Sequence, residues 1–336
     1  MVGDVEPAID RIAHETGFSG AVRVDVGGSM LFAKAYGQAH RGWRVANTVE
    51  TRFGIASGTK GLTALTVLSL VGEGVLALST PARSLLGPDL PMVDDRVTVE
   101  HLLAHRSGIG DYLDEEQLGG VDDYVLTVPV HQLASTEGYL PVLDGYPMVS
   151  APGERFAYNN SGYVVLALLA ERASGVPFHG LLVERVCRPA GMRDTAFLRS
   201  DELPGGVATG YLDGFDGRRT NALHLPVHGS GDGGAYTTVG DVSALWSALF
   251  AGRVVEPALV AEAVRPRSDA PAHAMRYGLG FWLHATSDTV MLIGSDAGVS
   301  FRSVHRPSTA ATHTVVGNTS TGAWPLTRAL DGLLGG

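Results

Sequence analysis

The stretch Phe53–Leu70, FGIASGTKGLTALTVLSL, passes from a glycine-bounded start into a leucine- and alanine-rich run of helical texture. Within it Ser57 stands three residues before Lys60. On a helix that spacing puts both side chains on one face, within one turn. A serine hydroxyl is a weak nucleophile until a nearby base takes its proton, and a lysine desolvated in a pocket can titrate low enough to be that base. A helix N-terminus also offers backbone N–H groups to a developing oxyanion. Ser57 and Lys60 are therefore a candidate nucleophile and base, although an ordinary helix start can carry the same spacing.

Upstream of this stretch, Val5, Ile9, Ile12 and Ala13 recur at helical spacing and stop at Gly17, which predicts a short amphipathic helix. Two strands, Gly20 to Val26 and Met30 to Tyr36, are expected to pair through a tight turn of Gly27, Gly28 and Ser29. Downstream, helical texture recurs at Leu62 to Gly72, Val99 to Ala104, Gly162 to Ser174, His179 to Val186 and Asp241 to Phe250. From Tyr277 the β-branched, period-2 signal returns in GLGFWLHA, TVMLIGS, VSFRSVH and THTVVGN, before a closing helix-like TRALDGLL. Strands at both ends with helices between them predict an α+β fold. Its antiparallel sheet is built from both termini and flanked by terminal helices, with a large, mostly helical region inserted. The expected boundaries are 1–60 with 272–336 for the α/β region and 61–271 for the insertion, with the site at their junction.

A second polar constellation lies in PGERFAYNNSGYVV, where Tyr158 and Asn160 sit two apart in a turn that runs into a helix. A phenol beside an ammonium group can titrate low enough to act as a base, and an amide can position an acyl group. An anchoring aromatic in a surface turn reads the same way.

Taken together and in order, FGIASGTK, LLAHRSGI at Leu102–Ile109, PGERFAYNNSGY, RPAGMRDTAF at Arg188–Phe197 and GDGGAYTTVGDVSAL at Gly231–Leu245 span nearly the whole chain. This series resembles the serine β-lactamase and D,D-peptidase superfamily, in particular its class C β-lactamase and esterase-like branch. The resemblance implies a β-lactamase/transpeptidase-like fold. It also implies Ser57 as the acylated nucleophile, Lys60 as its general base, Tyr158 as the second acid/base and Asn160 as a substrate-positioning amide.

A third motif of that superfamily, usually Lys-Thr-Gly or His-x-Gly, should lie near the start of the last hairpin. The candidate is Ser295-Asp296-Ala297-Gly298, which lacks the usual cation. Here Ser295 would offer only a neutral hydrogen bond, Ala297 a backbone N–H for an oxyanion, and Gly298 room for the strand to approach the acyl group. Asp296 would repel an anion if it faces the cleft. Arg302 or Arg276 could restore the missing charge.

Composition sets the outer limits. The 336 residues are 45% hydrophobic and 18% charged, against roughly 25% charged in typical soluble domains, so a sizeable core is expected and extensive disorder is excluded. The 25 basic against 35 acidic residues give a net charge of −10, which repels phosphate backbones and excludes a nucleic-acid partner. The single cysteine, Cys187, can form no internal disulfide and reads as a structural thiol. The N-terminal segment has no secretory apolar run and no segment reaches 18 apolar residues, so a cytoplasmic protein without membrane contact is expected. Nothing in the sequence specifies an oligomeric state.

His101 and His105 have a zinc-compatible spacing, but no glutamate stands between them and no third ligand is evident, so no metal site is expected. Gly229–Gly234 matches G-x-G-x-x-G outside any βαβ unit. The aromatic group Phe281, Trp282 and Trp324 reads as core. The resulting expectation is a cofactor-free serine hydrolase acting through an acyl-enzyme on a small ester or amide, most like a carboxylesterase. The alternatives are a β-lactamase, a peptidase acting on D-residues, and a non-catalytic ligand-binding or assembly protein of the same fold.

Overall fold

A computed structural model describes residues 5–115, 119–214 and 217–334. The opening hairpin joins β1 (Gly20–Val26) to β2 (Ser29–Tyr36). Gly27 and Gly28 both take positive φ, 59° and 77°, so the turn has two residues and Ser29 belongs to the strand. Next, β3 (Gln38–His40) and β4 (Val45–Ala46) make a small ribbon, while β5 (Phe53–Gly54), β6 (Ala196–Phe197) and β7 (Ala235–Thr237) make a three-stranded sheet. The last strands are β8 (Ser268–Ala270), β9 (Met275–Tyr277), β10 (Trp282–His284), β11 (Val290–Asp296), β12 (Val299–Arg306) and β13 (Ala311–Gly317). The large antiparallel sheet runs β2-β1-β13-β12-β11-β10-β9-β8, so chain from both ends builds it.

Period-2 alternation sorts side chains to the two faces of this sheet. Val22, Val24 and Val315 face the terminal helices Val5–Thr16 and Trp324–Leu334, packing with Ile9, Ala13, Leu326 and Leu330. Ala21, Leu292, Phe301 and Val316 face the other way, into the larger core under the inserted helices. The central element there is the Thr59–Gly72 helix, in which every residue from Thr59 to Leu68 is buried. Its all-round apolar character is that of a helix with no solvent face.

The Asn160–Ser174 helix starts where Asn159 Oδ1 accepts the Gly162 N–H at 2.6 Å, and it stops at Gly175, φ 70°. The Val239–Phe250 helix is capped by Thr238 Oγ1, which accepts the Asp241 N–H. The helical stretch expected from His179 is Phe178–Leu182 followed by a π turn over Val183–Cys187. Strands β3 to β9 were not foreseen, because two or three residues show no period. Among the described residues no single helix is long and apolar enough to cross a membrane. Cys187 is buried, and burial pushes its thiol up to about 12.

Candidate active site

The site begins with a strained turn. Ala56 takes φ 43°, in the left-handed region, and a 3₁₀ turn over Ala56–Gly58 leads directly into the Thr59–Gly72 helix. Gly58 N–H is taken by the Ile55 carbonyl, and the turn presents Ser57 at the head of the helix, where the first N–H groups have no intrahelical partner. Lys60, one turn on, is 2% exposed. Its Nζ lies 2.9 Å from Ser57 Oγ, 2.7 Å from Asn160 Oδ1 and 2.8 Å from the Asp232 carbonyl oxygen. The Tyr158 and Tyr163 rings lie 5.0 and 5.7 Å from it. Burial holds the Lys60 ammonium below the ordinary lysine range, opposed by the charges of Asp232, Glu115, Asp111 and Asp296.

Tyr158 is brought to the same place. Its ring stacks on Trp282, centroids 5.8 Å apart and planes 16° apart, and lies 4.4 Å from the His105 ring. Burial, and after it the charge of Glu115, pushes its hydroxyl well above the ordinary phenol range, while its hydrogen bond to Ser57 acts the other way. This direction is opposite to that of a low-titrating phenolate: in its aromatic cage burial favours the neutral hydroxyl of Tyr158. His105 is a prop rather than a metal ligand. Its Nδ1 accepts the Asn159 N–H at 3.1 Å, and burial keeps the ring neutral. His101 closes a capping box with Thr98. No metal-compatible cluster occurs among the described residues.

Asn160, the expected substrate-positioning amide, is held by protein groups. Its Oδ1 is taken by Lys60, and its Nδ2 donates to the Leu113 carbonyl at 2.8 Å and to Glu115 Oε1 at 3.2 Å. These bonds tie Lys60 to the Asp111–Glu115 loop through Asn160, which also lines the cleft. Asp111 fixes that loop to the helix start: its carboxylate accepts from Asn160 N, Ser161 N and Ser161 Oγ. Burial pushes Asp111 up to about 6.

The third motif is also in a different register. Strands β11 and β12 are joined by a two-residue turn at Ala297–Gly298, φ 69° at the glycine, with Asp296 opposite Val299. Gly298 lies at the tip against the backbone of Gly210 and Tyr211, so it makes no room for an acyl group. The Ala297 N–H is occupied by Asp296 Oδ1 at 2.8 Å and its carbonyl by Asn221 Nδ2, so it is no oxyanion donor. The glycine that lets the strand approach the nucleophile is Gly294, where a Cβ would meet the Ile55 oxygen at 2.1 Å and Gly58 N at 2.9 Å. Two residues earlier stands Leu292, buried against Gly61.

This register exposes a different N–H. In a two-residue hairpin the pair flanking the turn is hydrogen-bonded and pairs then alternate. Even-numbered residues of β11 thus bond to β12, and odd ones face β10, as the His284 N–H to Thr289 carbonyl bond confirms. Strand β10 pairs only as far as Met291, so it does not take the Ser295 N–H, and Ser295 lines the same cleft as Ser57.

Ser57, Asn160, Tyr112, Tyr124, Ser295 and Asp296 are among the residues that line one cleft. Among the described residues its charged lining side chains are Glu115, Asp232 and Asp296, and no Lys, Arg or His lines it. The Tyr112 hydroxyl donates to Asp232 Oδ2 at 2.5 Å and the Tyr124 hydroxyl to Asp296 Oδ1 at 2.8 Å. Arg302 pairs instead with Asp331, and Arg276 with the His284 carbonyl, both away from the cleft. Asp111, Tyr112, Glu115 and Tyr124 carried no sequence signal because they lie on irregular loops; Asp232 sat unremarked inside the glycine-rich stretch.

Residues 5–328 match the family described as Beta-lactamase. The chain is similar to the solved penicillin binding protein from Bacillus halodurans at 35% identity and a TM-score of 0.91, over 97% of this chain and 99% of that one. It is 30% identical over 319 residues to esterase EstB of Burkholderia gladioli, covering 84% of this chain and 78% of the esterase. A D-aminopeptidase of Brucella anthropi is 30% identical over 273 residues, 81% of this chain, and the chain spans 50% of that relative's length.

Proposed function

The chain belongs to the Beta-lactamase family, and on that premise we propose that it is a serine hydrolase that forms an acyl-enzyme on Ser57 from a small ester or amide. The observation that carries this reading is the buried Lys60 amine 2.9 Å from Ser57 Oγ. As Ser57 attacks the carbonyl, its proton passes to neutral Lys60, and the N–H groups of Ser57 and Ser295 hold the oxyanion. Lys60 then returns the proton through Tyr158, whose neutral hydroxyl gives its own proton to the leaving group and takes the lysine's. Water attacks the acyl-enzyme by the reverse relay and frees Ser57. Asn160 and the Asp232 carbonyl hold Lys60 in place.

The esterase and D-aminopeptidase relatives support an ester or small-amide substrate. A β-lactam or a peptide with a C-terminal carboxylate is disfavoured, because among the described residues an anion entering the cleft meets three carboxylates and no cationic lining residue. A binding protein would have no use for a buried amine held against a serine hydroxyl.

The test is intact-mass analysis after treatment with a fluorophosphonate. A single adduct is expected on the peptide holding Ser57, none in Ser57→Ala, and p-nitrophenyl acetate should be hydrolysed with a kcat/KM well above that for nitrocefin. An adduct on another serine, or undiminished ester turnover by Ser57→Ala, would overturn the assignment of Ser57, and faster nitrocefin turnover the substrate class.

A further inference from the structure

We propose that Asp296 selects the acyl half of the substrate by holding a cationic amine there, so that amino-acyl esters and amides are preferred over their neutral and anionic counterparts. The inference rests on the acyl-enzyme reading above and assigns its substrate class.

Position along one strand carries the argument. At the root of the open edge of β11, Ile293 and Met291 pack in the cluster that holds Tyr158 and Trp282. One residue on, Gly294 lies against Ile55 and Gly58 of the nucleophile turn, and the Ser295 N–H faces the cleft. Asp296 comes next, at the tip. The leaving group needs a proton and therefore lies toward Tyr158. With the carbonyl oxygen held at Ser57 and Ser295, the acyl half extends the other way, toward Asp296.

The carboxylate is fixed before any ligand arrives. Its Oδ1 accepts from the Tyr124 hydroxyl and from the Ala297 N–H, both at 2.8 Å, and among the described residues no donor occupies Oδ2. Glu115 and Asp232 line the same cleft, the latter turned to Tyr112, and among the described residues no cationic side chain lines it. Arg302 is committed to Asp331 and Arg276 to the His284 carbonyl. A charge partner for Asp296 therefore has to come with the ligand, and a primary ammonium close to the acyl carbonyl supplies it. Leu113, Leu126, Leu198 and Leu225 give the remainder of the cleft an apolar wall for a hydrophobic side chain.

The experiment compares kcat/KM for D- and L-phenylalanine p-nitroanilide with the 3-phenylpropionyl and N-succinyl-phenylalanyl p-nitroanilides. At least one phenylalanine enantiomer should exceed the neutral compound by ten- to a hundredfold, the range of a charge-assisted bond, and the anionic one should be slowest. In Asp296→Asn the ammonium-to-neutral ratio should fall to near one, and in Asp296→Glu it should partly survive. Should a variant not fold, wild-type inhibition decides: phenylalanine amide should inhibit hydrolysis of p-nitrophenyl acetate more tightly than 3-phenylpropanamide. Equal inhibition, an unchanged ratio in Asp296→Asn, or a ratio lost instead in Glu115→Gln overturns the assignment of Asp296. If Ser57 still takes the fluorophosphonate, the hydrolase reading stands; if it does not, that reading fails first.

Discussion

Gly294 and Ile55 meet backbone to backbone: a Cβ on the glycine would stand 2.1 Å from the Ile55 carbonyl oxygen. That oxygen already accepts the Gly58 N–H that shapes the nucleophile turn. Neither partner is the flexible end of a side chain, so the strand and the turn would have to separate. Overpacking of this kind costs about 1–3 kcal/mol, and it also moves the Ser295 N–H relative to Ser57. Gly294→Ala should therefore slow fluorophosphonate labelling by about 10²-fold, the scale of a lost oxyanion donor. Gly298→Ala, strained at φ 69° but at the hairpin tip, should lower Tm with a much smaller effect on labelling by the folded fraction. Equal labelling losses in the two variants would contradict the register of the strand.

The contrast between these glycines shows what the sequence can carry. Ser57 and Lys60, and Tyr158 with the helix that follows it, are local patterns whose geometry follows from helix spacing, and they were legible. The alternating ends of the chain likewise announced a sheet built from both termini. Gly294 and Gly298 are alike as letters, and only the pairing of Asp296 with Val299 decides which of them turns the chain and which permits close approach. A shift in assignment along a strand changes which residues reach the site. The carboxylates were hidden for another reason: Asp111 acts on a helix start 49 residues away, and Asp232 reaches Tyr112 across 120.

His105 should act through Tyr158 and not through its own titration. Its Nδ1 accepts the Asn159 N–H, and its ring packs against Phe156, Tyr158, Tyr163 and Tyr277. His105→Phe keeps a ring but leaves a buried N–H unpaired, at a cost of about 1–3 kcal/mol. The expected result is a kcat lower by about tenfold with KM little changed and the shape of the pH profile retained. A pH limb that disappears in the variant would instead make His105 a proton-transfer group.

Lys60 must be neutral to accept the Ser57 proton, so kcat/KM should rise with pH through the Lys60 titration. Burial lowers that titration, and the nearby charge of Asp232 raises it. Asp232→Asn removes the negative charge while Asn can still accept from Tyr112. The sign is fixed: with less charge to favour the ammonium, Lys60 titrates lower and the acidic limb moves to lower pH. The profile of kcat/KM for p-nitrophenyl acetate measures this directly. A limb that moves upward would show that burial, not the carboxylate, changes in the variant.

Asp296 should make stability pH-dependent in a way that its proposed role explains. Burial, Glu115 and Asp232 disfavour its charged form, while the Tyr124 hydroxyl and the Ala297 N–H favour it, and the balance pushes it up to about 7 from 3.8. Between those values the folded protein holds a proton that the unfolded chain has lost, so the stability contributed by this group falls as pH rises from about 4 to 7 and is then level. Three units set a ceiling of about 4 kcal/mol, and solvent contact of the partly exposed side chain reduces the expected figure to about 1–2 kcal/mol. Asp296→Asn should consequently melt a few degrees above wild type at pH 8, with the difference closing at pH 5. A bound ammonium offsets the same cost, so phenylalanine amide should raise Tm at pH 8 in wild type and much less in the variant. If Asp296→Asn is no more stable at pH 8 than at pH 5 relative to wild type, the carboxylate carries no desolvation cost in the empty cleft, and the reason for a cationic ligand to relieve it is gone.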